Sequence, residues 1–142
     1  MKATISLIAL NCLVYLAVYC GICGTNATLG LNMFFTDGLY VWQPATSMFM
    51  HANLAHLLMN MAVLYQFGSL LERYYGSEKF AVIYYVGGVL TSLLSFVYIY
   101  IMFKTNGTFI NLVGASGAIS LLLGVLAFLD ASSRKGLIIA IL

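Results

Sequence analysis

TFINLVGASGAISLLLGVLAFL, residues 108–129, carries no charged side chain. It is long enough to cross a bilayer, which takes about 20 mostly apolar residues. Near its start, Gly114-Ala115-Ser116-Gly117 interrupts the apolar pattern. A serine is costly in hydrocarbon unless its polar atoms find partners in the protein, because lipid supplies none. The flanking glycines let the backbone approach closely and adopt unusual dihedrals. A serine that opens a helix there presents its hydroxyl beside backbone N–H groups that attract negative charge. An oxyanion site has the same requirement. Packing is a second use of the same stretch, since Gly117, Ser120 and Gly124 form a small-residue stripe suited to close helix contact.

The rest of the chain places this run in a membrane protein. Of 142 residues, 63% are hydrophobic and 7% are charged, with a mean hydropathy of +1.01. A soluble domain carries about 25% charged residues, and a globule this poor in charge would have little polar surface to show water. The expected class is an all-α polytopic membrane protein with one domain over residues 1–142. The net charge of +2 and the lack of a basic patch argue against a nucleic-acid partner.

Charged residues mark the ends of the spans. Residues 3–23, 54–71, 80–103 and 108–129 are free of charge, and a last apolar piece runs from Gly136 to Leu142. This reads as four full spans and the start of a fifth, an incomplete domain in a chain that looks cut short. Lys2, Arg73, Lys79, Arg134 and Lys135 share one side if the spans alternate, and only Lys104 falls on the other. The positive-inside rule then puts the N-terminus in the cytoplasm. In a bacterium the membrane would be the plasma (inner) membrane. The first span reads as a real helix: no small-x-small cleavage site ends it cleanly, and Tyr19 before Cys20 argues against lipoprotein processing.

With that orientation, Ser116 lies a little below the outer surface at the start of span four. His56 and Asn60 begin span two at the same level. They stand at i and i+4 and share a helix face, with Asn53 at i−3 on the same face. Polar residues within a span usually face the bundle interior and often mark function. Interhelical hydrogen bonding, worth roughly 0.6 to 2 kcal/mol, is the plainer role. A His–Asn stack level with a serine favours function, and a Ser–His pair is the minimal activated nucleophile. On spacing alone His56 could be the base. The 25–52 connection is long and rich in aromatic and aliphatic residues. It is either an interfacial anchor of the kind Trp42 and Tyr40 favour or a structured platform beside the site.

Together these pieces resemble the rhomboid family of intramembrane serine proteases over roughly residues 40–130. The resemblance rests on an ordered set: Trp42; His51-Ala-Asn-Leu-Ala-His56; His56-Leu-Leu-Met-Asn60; Gly68-Ser-Leu-Leu-Glu72-Arg-Tyr-Tyr-Gly76-Ser77; and Gly114-Ala-Ser116-Gly117. It implies a helical bundle with a six-helix core that opens to water on its outer face. It implies a partly embedded helical hairpin formed by the 25–52 loop. Ser116 would be the nucleophile. The His56 and Asn60 side chains, with the Ser116 N–H, would form the oxyanion hole. Glu72 would be a structural hydrogen-bond anchor, with a solvated helix end as its plainer reading. The substrates would be transmembrane proteins cut near the membrane surface through a Ser–His dyad. The family's base is a histidine on the sixth span, whereas the histidines here are His51 and His56, both ahead of Ser116. The chain as given is therefore expected to be inactive, though it is expected to come from an active protease. A second departure is Gln43, where the family commonly has arginine after the tryptophan; this weakens any ion-pair role in the first loop.

Other motifs carry less. Cys20-x-x-Cys23 is an incomplete zinc set with no histidine nearby in sequence, and Cys12 reads as apolar filler. No metal or cofactor is expected. Asn26-Ala-Thr28 and Asn106-Gly-Thr108 are glycosylation sequons that matter only in a secretory-pathway host. Asp37, Glu72, Glu78 and Asp130 flank spans, which argues against proton pumping. Two alternatives stay open: a rhomboid-like pseudoprotease that binds membrane helices without cutting, and a transporter fragment with Ser116, His56 and Asn60 lining a path.

Overall fold

A computed structural model describes residues 1–129. The expected start of a fifth span at Gly136, with Asp130, Arg134 and Lys135, lies outside the described residues. Helix α1 covers Lys2–Tyr19. Three single-turn helices follow in the first connection: α2 (Asn26–Leu29), α3 (Phe34–Asp37) and α4 (Gln43–Thr46). A 3-10 turn over Ser47–Phe49 continues α4. The second long helix runs Leu54–Tyr75. It comprises α5 (Leu54–Val63), a π turn (Leu64–Gly68) and α6 (Ser69–Tyr75). Helix α7 spans Ser77–Asn106, and α8 spans Ser116–Leu129 within the described residues. Three helices, Lys2–Tyr19, Leu54–Tyr75 and Ser77–Asn106, are long and apolar enough to cross a membrane, and α8 is a shorter apolar helix. No strand occurs among the described residues apart from one isolated bridge between Leu31 and Leu112.

The uncharged run 108–129 does not form a single helix. Residues 107–115 are non-helical, and Ser116 opens α8. The cause is long-range. Leu31 and Leu112 exchange both backbone hydrogen bonds, at 2.9 and 2.8 Å, and the Gly114 N–H donates to the Ser47 carbonyl at 2.9 Å. Both partners belong to the first connection, so 107–115 is held extended against it.

Helix α7, about 45 Å long at 1.5 Å per residue, is the post around which the others pack. Its buried positions Phe80, Tyr84, Gly87, Gly88, Ser92 and Ile99 follow helical spacing along one face, while Val82, Val86, Leu90, Leu94 and Val97 stay exposed on the other side. One apolar cluster joins Leu7 of α1, Met48 of the 3-10 turn, Leu57, Met61, Leu64 and Leu71 of the second helix, Phe80 and Tyr84 of α7, and Ala118, Ile119 and Leu122 of α8. A second cluster packs Leu31 and Met33 of the first connection against Ile99 of α7, with Phe35, Phe96, Phe103 and Ile110 around them.

Two polar networks brace the ends of the bundle. Glu72 is buried, and its carboxylate accepts from the Ala3 and Thr4 backbone N–H groups, each at 2.9 Å, and from the Thr4 and Ser77 hydroxyls, each at 2.6 Å. The N-terminal ammonium lies 3.2 Å from the same carboxylate. Glu72 thus ties α1 to the junction of α6 and α7 and is not a solvated helix end. That junction is a single residue, Gly76, whose φ of +82° favours glycine over residues with a Cβ. In the first connection, Gln43 is fully buried. Its Oε1 accepts from the Asn32 N–H at 3.2 Å, and its Nε2 donates to the Ala27 carbonyl and to Asn32 Oδ1, each at 3.3 Å. Asn32 Nδ2 donates to Asn111 Oδ1 at 2.9 Å, and Asn111 Nδ2 donates to the Asn26 carbonyl at 2.8 Å. A neutral amide hub therefore does the bracing here without an ion pair.

Candidate active site

Helix α5 starts where Asn53, in extended conformation, caps it: Asn53 Oδ1 accepts from the His56 N–H at 2.9 Å. The spacing that suggested a third polar side chain on the His56 face is instead that of an N-cap, which serves an N–H with no intrahelical acceptor. His56 is half-buried and Asn60 is buried one turn further on. Ala115 is fully buried, and Ser116, the first residue of α8, is exposed. Its N–H is among the first four of the helix, which have no intrahelical acceptor.

The two clusters meet through Gly114. Its φ is +124°, and a Cβ there would lie 2.8 Å from His56 Cε1, 3.0 Å from His56 Nε2 and 3.5 Å from Asn60 Nδ2. The backbone two residues before Ser116 thus rests directly on the His56 ring and beside the Asn60 amide. Asn60 Nδ2 is buried and has no hydrogen-bond partner. An unpaired buried amide costs roughly 1–3 kcal/mol. A donor held in this way beside the helix start is suited to an acceptor that arrives later.

On its other side Ser116 borders a cavity of about 160 Å³ between α7, α8 and the 3-10 turn, lined among others by Ser47, Thr91, Ser92, Ser95 and Ser120. Ser47 Oγ is buried without a partner. Thr91 Oγ1 donates to the Gly87 and Gly88 carbonyls at 2.9 Å, and Ser95 Oγ donates to the Thr91 carbonyl at 2.8 Å. The α7–α8 contact is close enough that a Cβ on Gly117 would lie 3.0 Å from Thr91 Oγ1. Ser47 had no signal in the sequence, because both its carbonyl bond to Gly114 and its place in the cavity come from residues far along the chain.

His51 is buried beside the site. Its Nδ1 lies 3.2 Å from the Phe49 carbonyl, and its ring meets the His56 ring edge-on at a centroid distance of 5.2 Å. Nδ1 therefore carries the proton, leaving Nε2 as an acceptor. Burial, with a smaller contribution from neighbouring His56, lowers its pKa from 6.5 to about 4, against the opposing effect of the Phe49 carbonyl. Trp42 is partly exposed, stacks on Tyr40 at 4.9 Å, and donates Nε1–H to the Thr28 carbonyl at 3.0 Å. It anchors the first connection and does not reach the site. Among the described residues, no group of three or more His, Cys, Asp or Glu side chains could hold a metal ion. Cys12, Cys20 and Cys23 are free thiols.

The Rhomboid domain family model matches residues 39–142. The chain is 37% identical over 94 residues to Rhomboid protease GluP of Bacillus subtilis, covering 66% of this chain and 17% of that protein. It is 31% identical over 104 residues to Putative rhomboid protease YdcA of the same organism, covering 73% and 48%. It is also 29% identical over 82 residues to Inactive RHOMBOID-like protein 8 of Arabidopsis thaliana, covering 56% and 23%. The chain spans less than half the length of each of these relatives. A match over most of the chain, together with helices long and apolar enough to cross a bilayer, makes this an integral membrane protein that belongs to the rhomboid family.

Proposed function

We propose that this chain carries the nucleophile and oxyanion side of an intramembrane serine endopeptidase that cuts transmembrane protein substrates near the outer face of the membrane. The observation that carries the reading is Gly114. Its close seat against His56 and Asn60 supports this reading, because the backbone two residues before Ser116 lies beside a buried donor without a partner. Ser116 Oγ would attack the scissile carbonyl and pass its proton to a base. The oxyanion would accept hydrogen bonds from Asn60 Nδ2, His56 and the Ser116 N–H, donors in place before charge develops. Collapse of the tetrahedral species would release the amine and leave an acyl group on Ser116. Water would then attack the ester, and the serine-lined cavity beside Ser116 is polar and roomy enough to hold it.

The resemblance assigns the base to a histidine on the last span. The 142 residues contain two histidines, and this reading commits His56 to the oxyanion hole and His51 to a structural place. The chain alone is expected to give no turnover. We place four spans in the bilayer, with the N-terminus cytoplasmic and the 25–52 connection partly embedded at the outer face. In a bacterium this is the plasma membrane. A pseudoprotease reading draws on the relative named as inactive.

Fluorophosphonate labelling of the full-length protein separates the readings. A protease labels at Ser116, loses all labelling in Ser116→Ala, and loses about 10²–10³-fold in rate in Asn60→Ala, the usual cost of one oxyanion donor. A full-length protein that folds but never labels at Ser116 would leave the pseudoprotease or transporter reading in its place.

A further inference from the structure

Between the C-terminal end of α1 and the segment that enters α5 lies a second cavity, of about 180 Å³. It is lined by Tyr15, Tyr19, Asn26, Met50 and His51, among others, and has no part in the proposed reaction. Two of its lining residues carry buried polar atoms without a partner, His51 Nε2 and Asn26 Oδ1. His51 is 4% exposed, and because its Nδ1–H is directed at the Phe49 carbonyl, its Nε2 is an acceptor. Both unpaired atoms therefore call for hydrogen-bond donors. Tyr15 and Tyr19 stack at 6.4 Å on the same wall, and aromatic faces attract cations. No lining residue carries a positive charge.

We propose that this cavity binds a primary ammonium group, and that in the bilayer its occupant is the ethanolamine headgroup of a phospholipid. The chemistry selects this group. A primary ammonium has three N–H donors for the two acceptors and a charge for the tyrosine rings. A choline headgroup has the charge and no N–H, and a glycerol headgroup has donors and no positive charge. The cavity sits where the apolar helix α1 ends, the level at which headgroups meet a spanning helix. The His51 ring also abuts His56, so an occupant that restrains His51 restrains its neighbour. The proposal does not depend on proteolytic activity and stands or fails separately from it.

Native mass spectrometry of the protein released from nanodiscs of mixed phosphatidylethanolamine and phosphatidylcholine tests it. One phosphatidylethanolamine should be retained in about tenfold preference over phosphatidylcholine, and the preference should vanish in Asn26→Leu. Asn26 Oδ1 has no hydrogen-bond partner to lose, so this variant is expected to fold even if His51→Phe does not. Phosphatidylglycerol in place of phosphatidylethanolamine should not be retained. Equal retention of the three lipids, or selectivity unchanged in Asn26→Leu, would overturn the site. Free ethanolamine that binds as tightly as the phospholipid would overturn the assignment to lipid.

Discussion

Replacing Gly114 by alanine tests the contact on which the site is built. The new methyl would sit 2.8 Å from His56 Cε1 and 3.0 Å from Nε2, well inside the roughly 3.5–4.0 Å at which such atoms attract. Its φ of +124° is also a region that residues with a Cβ avoid, at a cost of order 1–3 kcal/mol. Overpacking adds about 1–3 kcal/mol, so the variant should lose about 2–6 kcal/mol. Strain relieved by moving the 112–116 segment would displace Ser116 from Asn60, and a displacement of about 1 Å can cost 10²-fold in rate. The assay is denaturant unfolding together with fluorophosphonate labelling of the full-length protein, run as a double-mutant cycle with His56→Ala. Removing the ring removes the clash and leaves the backbone strain, so Gly114→Ala should cost about 1–3 kcal/mol less in the His56→Ala background. Strict additivity would refute the contact. Wild-type stability and labelling in Gly114→Ala would refute the whole construction.

Three further outcomes follow from the buried polar groups. Glu72→Gln keeps the shape but replaces an acceptor of four hydrogen bonds by an amide that must turn donors toward donors. It should cost about 3–5 kcal/mol in thermal or denaturant unfolding, while Glu72→Asp should recover part of the loss. Gln43→Leu strands the buried Asn32 N–H and should cost about 1–3 kcal/mol. Gln43→Glu should be worse than wild type, because the lost Nε2 donor leaves the Ala27 carbonyl without it and a charge in the hub. His51 is held neutral, with its pKa lowered from 6.5 to about 4. Its contribution is therefore full above pH 6.5 and declines as pH falls toward 4, by at most about 3 kcal/mol at 1.36 kcal/mol per unit. Unfolding measured across that window should show this slope in the wild type and lose it in His51→Gln.

Several elements of the molecule are local and were legible in the residue order. Uncharged runs bounded by Lys, Arg and Glu read as helices because hydrocarbon and buried packing exclude charge, and α1, Leu54–Tyr75 and α7 match them closely. The i, i+4 spacing of His56 and Asn60 put both on one face because helical period alone settles that. Asn53 was misplaced for an equally local reason, since the residue three before His56 can share its face or cap its helix, and only the backbone at Asn53 distinguishes the two.

The sequence by itself determined the class of the protein, the runs that become long helices and the residue types available for chemistry, because each depends on near neighbours and on the solvent each run can tolerate. Only the tertiary structure decided that 107–115 leaves the helix, through bonds from Leu31 and Ser47. It alone seated Gly114 on His56 and Asn60, turned Gln43 from a missing charge into the hub of the first connection, and left two unpaired acceptors, one on His51 and one on Asn26. Each of these joins residues separated by long stretches of chain, and no periodicity or spacing encodes which distant backbone group will arrive to accept or refuse a hydrogen bond.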